Sequence, residues 1–568
     1  MKKFKINSAI LIILLFVFTL IAEDNFHFAI LGDRTGGADQ QAFELVVQEM
    51  SNLRPDFVVT VGDLAEDGRI LSDWDVPMET MKIFECPVYY TAGNHDIYDE
   101  ASAKTFTKKT GNDPYYSFDY GNTHFVILDN STVSNYEEMD ESQIKWFTKD
   151  LQINKEKINI YVFMHKPFWA NAIAEGKEDF MHDLFKEYNV DAVFTGHWHQ
   201  YAYNEIDGIE YYLVGSSGGI MPGENDELGI FYQYLWCKVE ADKIVTSLIK
   251  SGNMFDKDLV TIEEEQLSYN IRKKFIQTKS RIEDDSKPDE LNIEISIYND
   301  TEKSLNENIE IQSKDNWIVT ESVIPVSIRP GDTLKTELII IKQGNFFPLP
   351  IMKFVYPFGR EKHFKYEKPL NITRIIQSTK VKKIPEIDGK ITKKEEKRAF
   401  IVDEFGDVEG ELSDLDKTQV FFLHDDEFLY IATICEEECP DSLKADFSGR
   451  DEDVYYDDSM GFLLSADGNV IYQLYVNPNE AIWDMRTDLK ENKYDKEWNG
   501  NFEVQTRIFE NSWIAEIKIP LNEIGFNEDT KEMKINFRRY RPYDDKAAFF
   551  IPEWSYKSVN SGKLRLED

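Results

Sequence analysis

Cysteine is scarce, with four in 568 residues, too few for a disulfide scaffold. Basic residues are outnumbered, 64 Lys and Arg against 104 Asp and Glu, for a formal net charge of −40. A field of that sign repels phosphate backbones and anionic lipid, so neither nucleic acid nor a charged membrane surface is expected as a general partner. A phosphate-bearing substrate remains compatible, because bound metal ions reverse the field locally. No repeat of solenoid period is present. What is there is globular in character. Hydrophobic residues make up 42% and aromatics 13%, which excludes wholesale disorder, collagen-like sequence and a polytopic membrane protein. One hydrophobic core does not serve a chain of this length, and about three or four domains are expected.

The single long apolar run lies at the N-terminus. Lys2, Lys3 and Lys5 precede 14 residues, Ala9 to Ala22, that are apolar apart from Thr19. A bilayer span needs about 20, and a basic segment, a short apolar segment and a small residue together have the layout of a secretory signal. Residues 1–22 are therefore expected to be a signal peptide cut near Ala22–Glu23, with export to a secreted or periplasmic location; an uncleaved anchor is the alternative. No cysteine follows the run to carry a lipid, and no membrane span is expected after signal removal. Export permits disulfides. Cys435 and Cys439 are close enough in sequence for a bridge, while Cys86 and Cys237 are either a second pair or small buried hydrophobes.

Four textures follow. Over residues 23–252, strand-like runs alternate with helical patterns (Gln41–Asn52, Asp140–Asn154, Gly176–Tyr188), which reads as α/β. Residues 253–285 are polar and charged, a linker with a helix expected around Gln266–Ile282. Residues 286–376 alternate in strand fashion between Pro and Gly punctuation and read as a β-sandwich spacer with no chemistry of its own. Residues 380–568 are strand-rich and aromatic, a second β-sandwich.

Chemistry concentrates in the first region. Five apolar runs each end in a polar cluster: His27–Leu31 before Gly32-Asp33-Arg34-Thr35, Asp56–Val61 before Gly62-Asp63, Pro87–Ala92 before Gly93-Asn94-His95-Asp96, Asn159–Met164 before His165, and Asp191–Thr195 before Gly196-His197-Trp198-His199. In α/β sheets ligands collect beyond the carboxyl ends of strands, and these runs deliver carboxylates, an amide and imidazoles to that edge. Oxygen and imidazole donors without thiolate suit Mn, Fe, Zn or similar metals. Seven of nine histidines precede position 200. A Gly-Asp dipeptide alone is usually a turn; five such clusters in this order are not.

These blocks resemble the calcineurin-like metallophosphoesterase family. The resemblance covers about residues 25–250 and implies a four-layer αββα sandwich holding two metal ions. Carried over by position, Asp63 would bridge the metals, Asp33 and His199 would belong to the first, and Asn94, His165 and His197 would complete the second. One position departs: Thr35 stands where many members have a histidine ligand, so the first metal is expected to be under-coordinated, or to take Thr35, water or Glu66 instead. Glu66 also replaces the metal-binding tyrosine of purple acid phosphatases, which argues against that subfamily.

Two neighbouring cations lower the pKa of a bridging water, supply hydroxide as nucleophile and neutralise the phosphoryl oxygens. His95 is the expected general acid for the leaving alkoxide. Asp96 is expected either to orient that imidazole or to serve as a turn carboxylate. Arg34 and Asn94 are the candidate substrate contacts, with a surface-loop role as the alternative for Arg34. His27, His124, Asp129 and His182 are read as structural.

Residues 384–568 resemble family 9 carbohydrate-binding modules, through Ile387-Asp388-Gly389-Lys390, Phe428–Ala432, Arg450–Ser459, and Trp513–Pro520 followed by Ile524-Gly525-Phe526. The resemblance implies a β-sandwich that stacks sugars on aromatic rings and often holds calcium. Trp483 and Trp498 are either platforms or core, and Asp451–Asp458 is either a Ca²⁺ site or a solvated acidic turn. The expectation is an exported phosphatase or phosphodiesterase whose partners are a phosphate ester and a glycan or cell-surface polysaccharide. The competing reading is an adhesion protein whose phosphoesterase domain has lost catalysis.

Overall fold

The computed structural model describes residues 25–567 apart from 177–178, 222, 242, 283–288, 359–361, 416, 492, 527–529, 545, 553 and 556–561. The expected signal peptide, residues 1–22, lies outside the described residues. Among the described residues no helix is long and apolar enough to cross a membrane. The chain divides into two compact units, one comprising residues 1–270 with 358–364, the other 271–357 with 365–568.

The first unit is built on twelve strands: β1 (Phe26–Leu31), β2 (Phe57–Thr60), β3 (Val88–Tyr89), β4 (Tyr116–Tyr120), β5 (Thr123–Ile127), β6 (Asn159–Phe163), β7 (Ala192–Thr195), β8 (Ala202–Ile206), β9 (Ile209–Leu213), β10 (Gln233–Glu240), β11 (Lys243–Lys250) and β12 (Asn253–Asp256). Its helices are α1 (Gln40–Asn52), α2 (Leu71–Met81), α3 (Glu100–Thr110), α4 (Glu141–Asn154), α5 (Phe168–Glu175), α6 (Phe180–Glu187) and α7 (Ile262–Asn270). The strands form two mixed sheets, in the orders β12-β11-β10-β1-β2-β3 and β4-β5-β6-β7-β9-β8. Strands β1, β2 and β3 run parallel, as do β5, β6, β7 and β9.

Strands buried on both faces read as continuous apolar runs, and those of β1, β2, β5, β6 and β7 are of that kind. One side of each faces the other sheet: Phe28 and Phe57 meet Phe125, with ring centroids 5.5 and 5.2 Å apart, both edge-on. The opposite sides carry helices. Phe43, Val47 and Met50 of α1 and Trp74 of α2 cover the first sheet, while Phe147, Leu151, Trp169 and Phe185 of α4, α5 and α6 cover the second. The result is the four-layer αββα sandwich. Truncating a ring such as Phe57 to alanine costs about 3–5 kcal/mol by this packing.

The helix expected over Gly176–Tyr188 is shorter. Gly176 closes α5 in the left-handed region, and α6 starts where Asp179 accepts from the Met181 and His182 N–H groups, a side-chain cap that fixes the start. The helix expected around Gln266–Ile282 lies earlier, at α7. Residues Ile276–Ile282 are instead a strand, whose IQTKSRI sequence alternates buried and exposed, a period of two rather than 3.6.

The second unit is all-β. Asp289–Tyr298 pairs along its length with Thr333–Lys342, and Leu305–Gln312 lies in a four-stranded sheet with Val323–Ile328, Ile351–Phe358 and Lys362–Pro369. The strand Ile372–Lys380 pairs with Ile276–Ile282, with Gly562–Glu567 and with Thr418–His424. Beyond it, a core including Phe422, Ile431, Phe462, Trp513 and Phe537 fills a β-sandwich. Glu516 joins two of the quoted motifs there, its carboxylate accepting the N–H groups of Asp388, Gly389 and Lys390 at 2.8–3.2 Å. All four cysteines are free; Cys435 is inside the core and Cys439 is exposed, so the conceivable bridge between them is not formed.

Candidate metal centre

Each parallel strand releases its chain at the same edge, and the turns that follow bring their side chains together. Three of these residues, Asp63, His197 and His199, hold φ angles of +57°, +81° and +56°. Side chains other than glycine rarely adopt that region, and it gathers at functional sites where surrounding structure enforces it.

The first group of donors centres on buried His165. Its Nδ1 donates to the Val61 carbonyl at 2.8 Å, which leaves Nε2 as the lone-pair atom. That atom lies 3.1 Å from Asp63 Oδ2, 3.1 Å from Asn94 Oδ1 and 3.2 Å from His197 Nδ1. Metal bonds of about 2.0–2.2 Å place neighbouring ligand atoms roughly 3 Å apart, so the spacing fits one ion. The second group is Asp33, Asp63 and His199. His199 Nδ1 donates to the Ile220 carbonyl at 2.6 Å and Nε2 lies 3.3 Å from Asp33 Oδ2. Asp33 Oδ1 is buried with no hydrogen-bond donor among the described residues, an atom left for a cation. Only glycine serves at position 196, where a Cβ would sit 2.3 Å from that oxygen. In both groups the ligand atoms lie within 4.8 Å of one another, and Asp63 is common to both. The donor set therefore fits two adjacent divalent or trivalent ions sharing one carboxylate.

The electrostatics agree. Burial alone would raise the Asp63 carboxyl, but His165 and His95 hold it well below its ordinary value. Burial would likewise lower His165, yet Asp63 and Asp33 lift it to about 9. His197 is pushed down to about 3 by burial and by His165, so it is a neutral ligand. Two buried carboxylates draw positive charge to this spot.

The remaining candidates divide. The His95 N–H donates to Asp63 Oδ1 at 2.8 Å, and its ring Nδ1 meets the Glu66 carbonyl at 2.9 Å. Asp96 accepts four backbone N–H groups, from Asp63, Leu64, Ala65 and Gly93 at 2.7–3.0 Å; its carboxylate shapes the turns that carry Asp63 and Asn94. Burial and the Asp63 charge raise it to about 7, against those donors. Arg34 is buried and donates to the Leu64 carbonyl and Gln40, bracing the loop from behind. Thr35 is buried, its hydroxyl 3.5 Å from Asp63 Oδ2. Glu66 binds the N–H groups of Gly36, Gly37 and Ala38 at 3.0–3.1 Å.

Sequence reading missed three supports. Asn130 accepts from the His165 and Lys166 N–H groups at 3.1 and 3.0 Å and donates to the Lys166 carbonyl; its place just after β5 was the available signal. Ser216 and Ser217 are buried and donate to the Asp33 and Gly32 carbonyls, holding the first cluster in place. In the second unit, Trp483 lines a cleft, whereas Trp498 packs on Tyr472 and Phe502. Within Asp451–Asp458, Glu452, Asp457 and Asp458 accept backbone N–H groups of residues 444–449.

Two adjoining oxygen-and-imidazole groups at the carboxyl edge of an αββα sandwich define a metallohydrolase scaffold. Residues 26–201 match the family described as calcineurin-like phosphoesterase. Serine/threonine-protein phosphatase CPPED1 of Bos taurus is 27% identical over 221 residues, 33% of this chain and 70% of that protein. Purple acid phosphatase 23 of Arabidopsis thaliana is 30% identical over 154 residues, 24% of this chain and only 32% of that protein. Residues 26–201 of the N-terminal unit are thus similar to calcineurin-like phosphoesterases, and both of these relatives are phosphatases. Among solved structures, a carbohydrate binding module family 9 from Caldicellulosiruptor kristjanssonii in complex with glucose is 15% identical, covers 34% of this chain and 95% of that chain, and has a TM-score of 0.25. Similarity that slight says nothing about ligands.

Proposed function

We propose that the protein is an exported phosphoesterase that hydrolyses a phosphate mono- or diester at the Asp63 centre, with its C-terminal unit holding a glycan. The observation that carries the catalytic reading is the sharing of Asp63 between two ligand groups. Export is supported by the basic-then-apolar N-terminus, and the glycan by the aromatic cleft. When bound, the metal ions, of the Mn, Fe or Zn kind, supply Lewis acidity at the phosphoryl oxygens and an activated water. The chain's own residues do the rest. Asp33, Asp63, Asn94, His165, His197 and His199 fix where the phosphoryl group docks. The Glu66 carbonyl accepts a hydrogen bond from His95 Nδ1–H, which leaves Nε2 to carry the proton handed to the leaving alkoxide.

The test is release of p-nitrophenol from mono- and bis-p-nitrophenyl phosphate by the full chain supplied with Mn, Fe or Zn. Turnover that a chelator abolishes and that Asp63→Asn lacks is expected, and the faster of the two substrates identifies the ester class. Thr35, in place of a histidine ligand, favours the adhesion alternative; absence of turnover with every tested metal would favour it further.

A further inference from the structure

The cleft in the C-terminal unit has a volume of about 560 Å³, and strand register explains how it is built. Trp483, Tyr475, Gly461 and Arg538 form one row across four adjacent strands. A Cβ at position 461 would lie 2.6 Å from the Tyr475 ring and 3.2 Å from Trp554, so the absent side chain lets those rings close over the sheet. Tyr455 stands edge-on to Trp483, with centroids 5.4 Å apart. The Tyr475 hydroxyl accepts from Trp554 Nε1 at 3.0 Å and from Gln473 Nε2 at 3.2 Å. Gln473, only 5% exposed, is left with a buried Oε1 that no donor reaches among the described residues.

The charge of this cleft opposes that of the chain. Arg538 and Lys496 line it and, among the described residues, no Asp or Glu does, although acidic residues outnumber basic ones 104 to 64. The Arg538 guanidinium lies 5.1 Å from the Trp554 centroid and 5.3 Å from that of Tyr475, so two rings hold its plane. Among the described residues no carboxylate pairs with it, and its buried Nε has no acceptor. Beside the cleft, Asp453 accepts from the Tyr455 hydroxyl at 2.5 Å. A partly buried guanidinium without a counter-charge is costly unless a ligand brings one.

We propose that the cleft binds an anionic saccharide, one carrying a carboxylate or a phosphate. The apolar face of its ring stacks on Trp483, a ring hydroxyl donates to Gln473 Oε1, and its anionic group meets Arg538 and Lys496. Aromatic faces suit the C–H face of a sugar, and the guanidinium fork matches carboxylate and phosphate oxygens. This rests on the glycan reading of the C-terminal unit and goes beyond it in naming the charge.

Calorimetric titration of the full chain tests it, in an Asp63→Asn background that keeps the phosphoesterase site from consuming the probe. The probes are a glucuronate-containing oligosaccharide, glucose 6-phosphate and the neutral glucose oligosaccharide. At least one acidic probe is expected to bind about tenfold tighter than the neutral one, the gain of a charge-assisted pair, and to weaken as salt is added. The tighter acidic probe says whether the anion is carboxylate or phosphate. Arg538→Met should bring it down to the neutral affinity, with Lys496→Met as a second variant should the first not fold, and Trp483→Ala should weaken every probe. Neutral binding equal to or tighter than acidic would overturn the charge assignment and leave the glycan reading standing; no binding of any probe would overturn both.

Discussion

His95 shows how much of this site rests on single atoms. Its backbone secures Asp63 and its ring is aimed by the Glu66 carbonyl, so the side chain itself is free for proton transfer. His95→Gln is expected to slow hydrolysis of an alkyl phosphate by about 10²–10⁴, the range of general-acid catalysis, and to slow that of p-nitrophenyl phosphate far less, because nitrophenolate leaves without a proton. Steady-state rates on the two esters check this; equal losses would assign His95 to structure. The residues that gather around Asp63 were legible in the sequence because each follows an apolar strand directly and the five clusters keep one order. Asp96, Arg34 and Glu66 were not legible in their roles. A carboxylate that collects four backbone N–H groups and one that orients an imidazole look alike in a Gly-Asn-His-Asp string, and only the turn geometry separates them.

The elements carry the site only as precisely as they are tied together. His124 of β5 is clamped by Asp119 of β4 and Asp150 of α4, at 2.7 Å each. Burial would lower its pKa, but the two carboxylates outweigh burial and raise it above its ordinary value. A histidine raised in the folded state stabilises below the unfolded value of about 6.5 and loses that contribution as pH climbs through the folded one. The stability difference between wild type and His124→Gln, read from urea midpoints, should therefore shrink from pH 6 to pH 9; a difference that grows would contradict the clamp. Strands buried on both faces announce themselves as apolar runs, whereas α7 and Ile276–Ile282 do not. Their boundary lies inside a charged stretch where periods of two and 3.6 overlap, and packing decided it. The contact of Glu516 with Asp388-Gly389-Lys390 joins two pieces of sequence whose partnership nothing local reveals.

At the scale of the molecule, two compact units imply two responses. A metal bound at the Asp63 centre would stabilise only the folded first unit, so calorimetry of the full chain should show two transitions, one of which rises with metal. At a free concentration 100 times Kd the gain is about 2.7 kcal/mol, or roughly 5–10 °C for a unit of this size. A uniform shift of both, or of neither, would contradict the assignment. Four regions of different texture were evident in the composition; that the strand Ile372–Lys380 pairs with strands on both sides of residues 376–380 was not, since pairing partners are set by register and not by local pattern. Everything functional depends on paired cations at Asp63. Metal analysis of the purified, dialysed full chain beside Asp63→Asn measures that directly: about two ions per chain for the wild type and a loss of both in the variant are the expected result, while wild type and variant with the same content, or a wild type that holds none, would refute it.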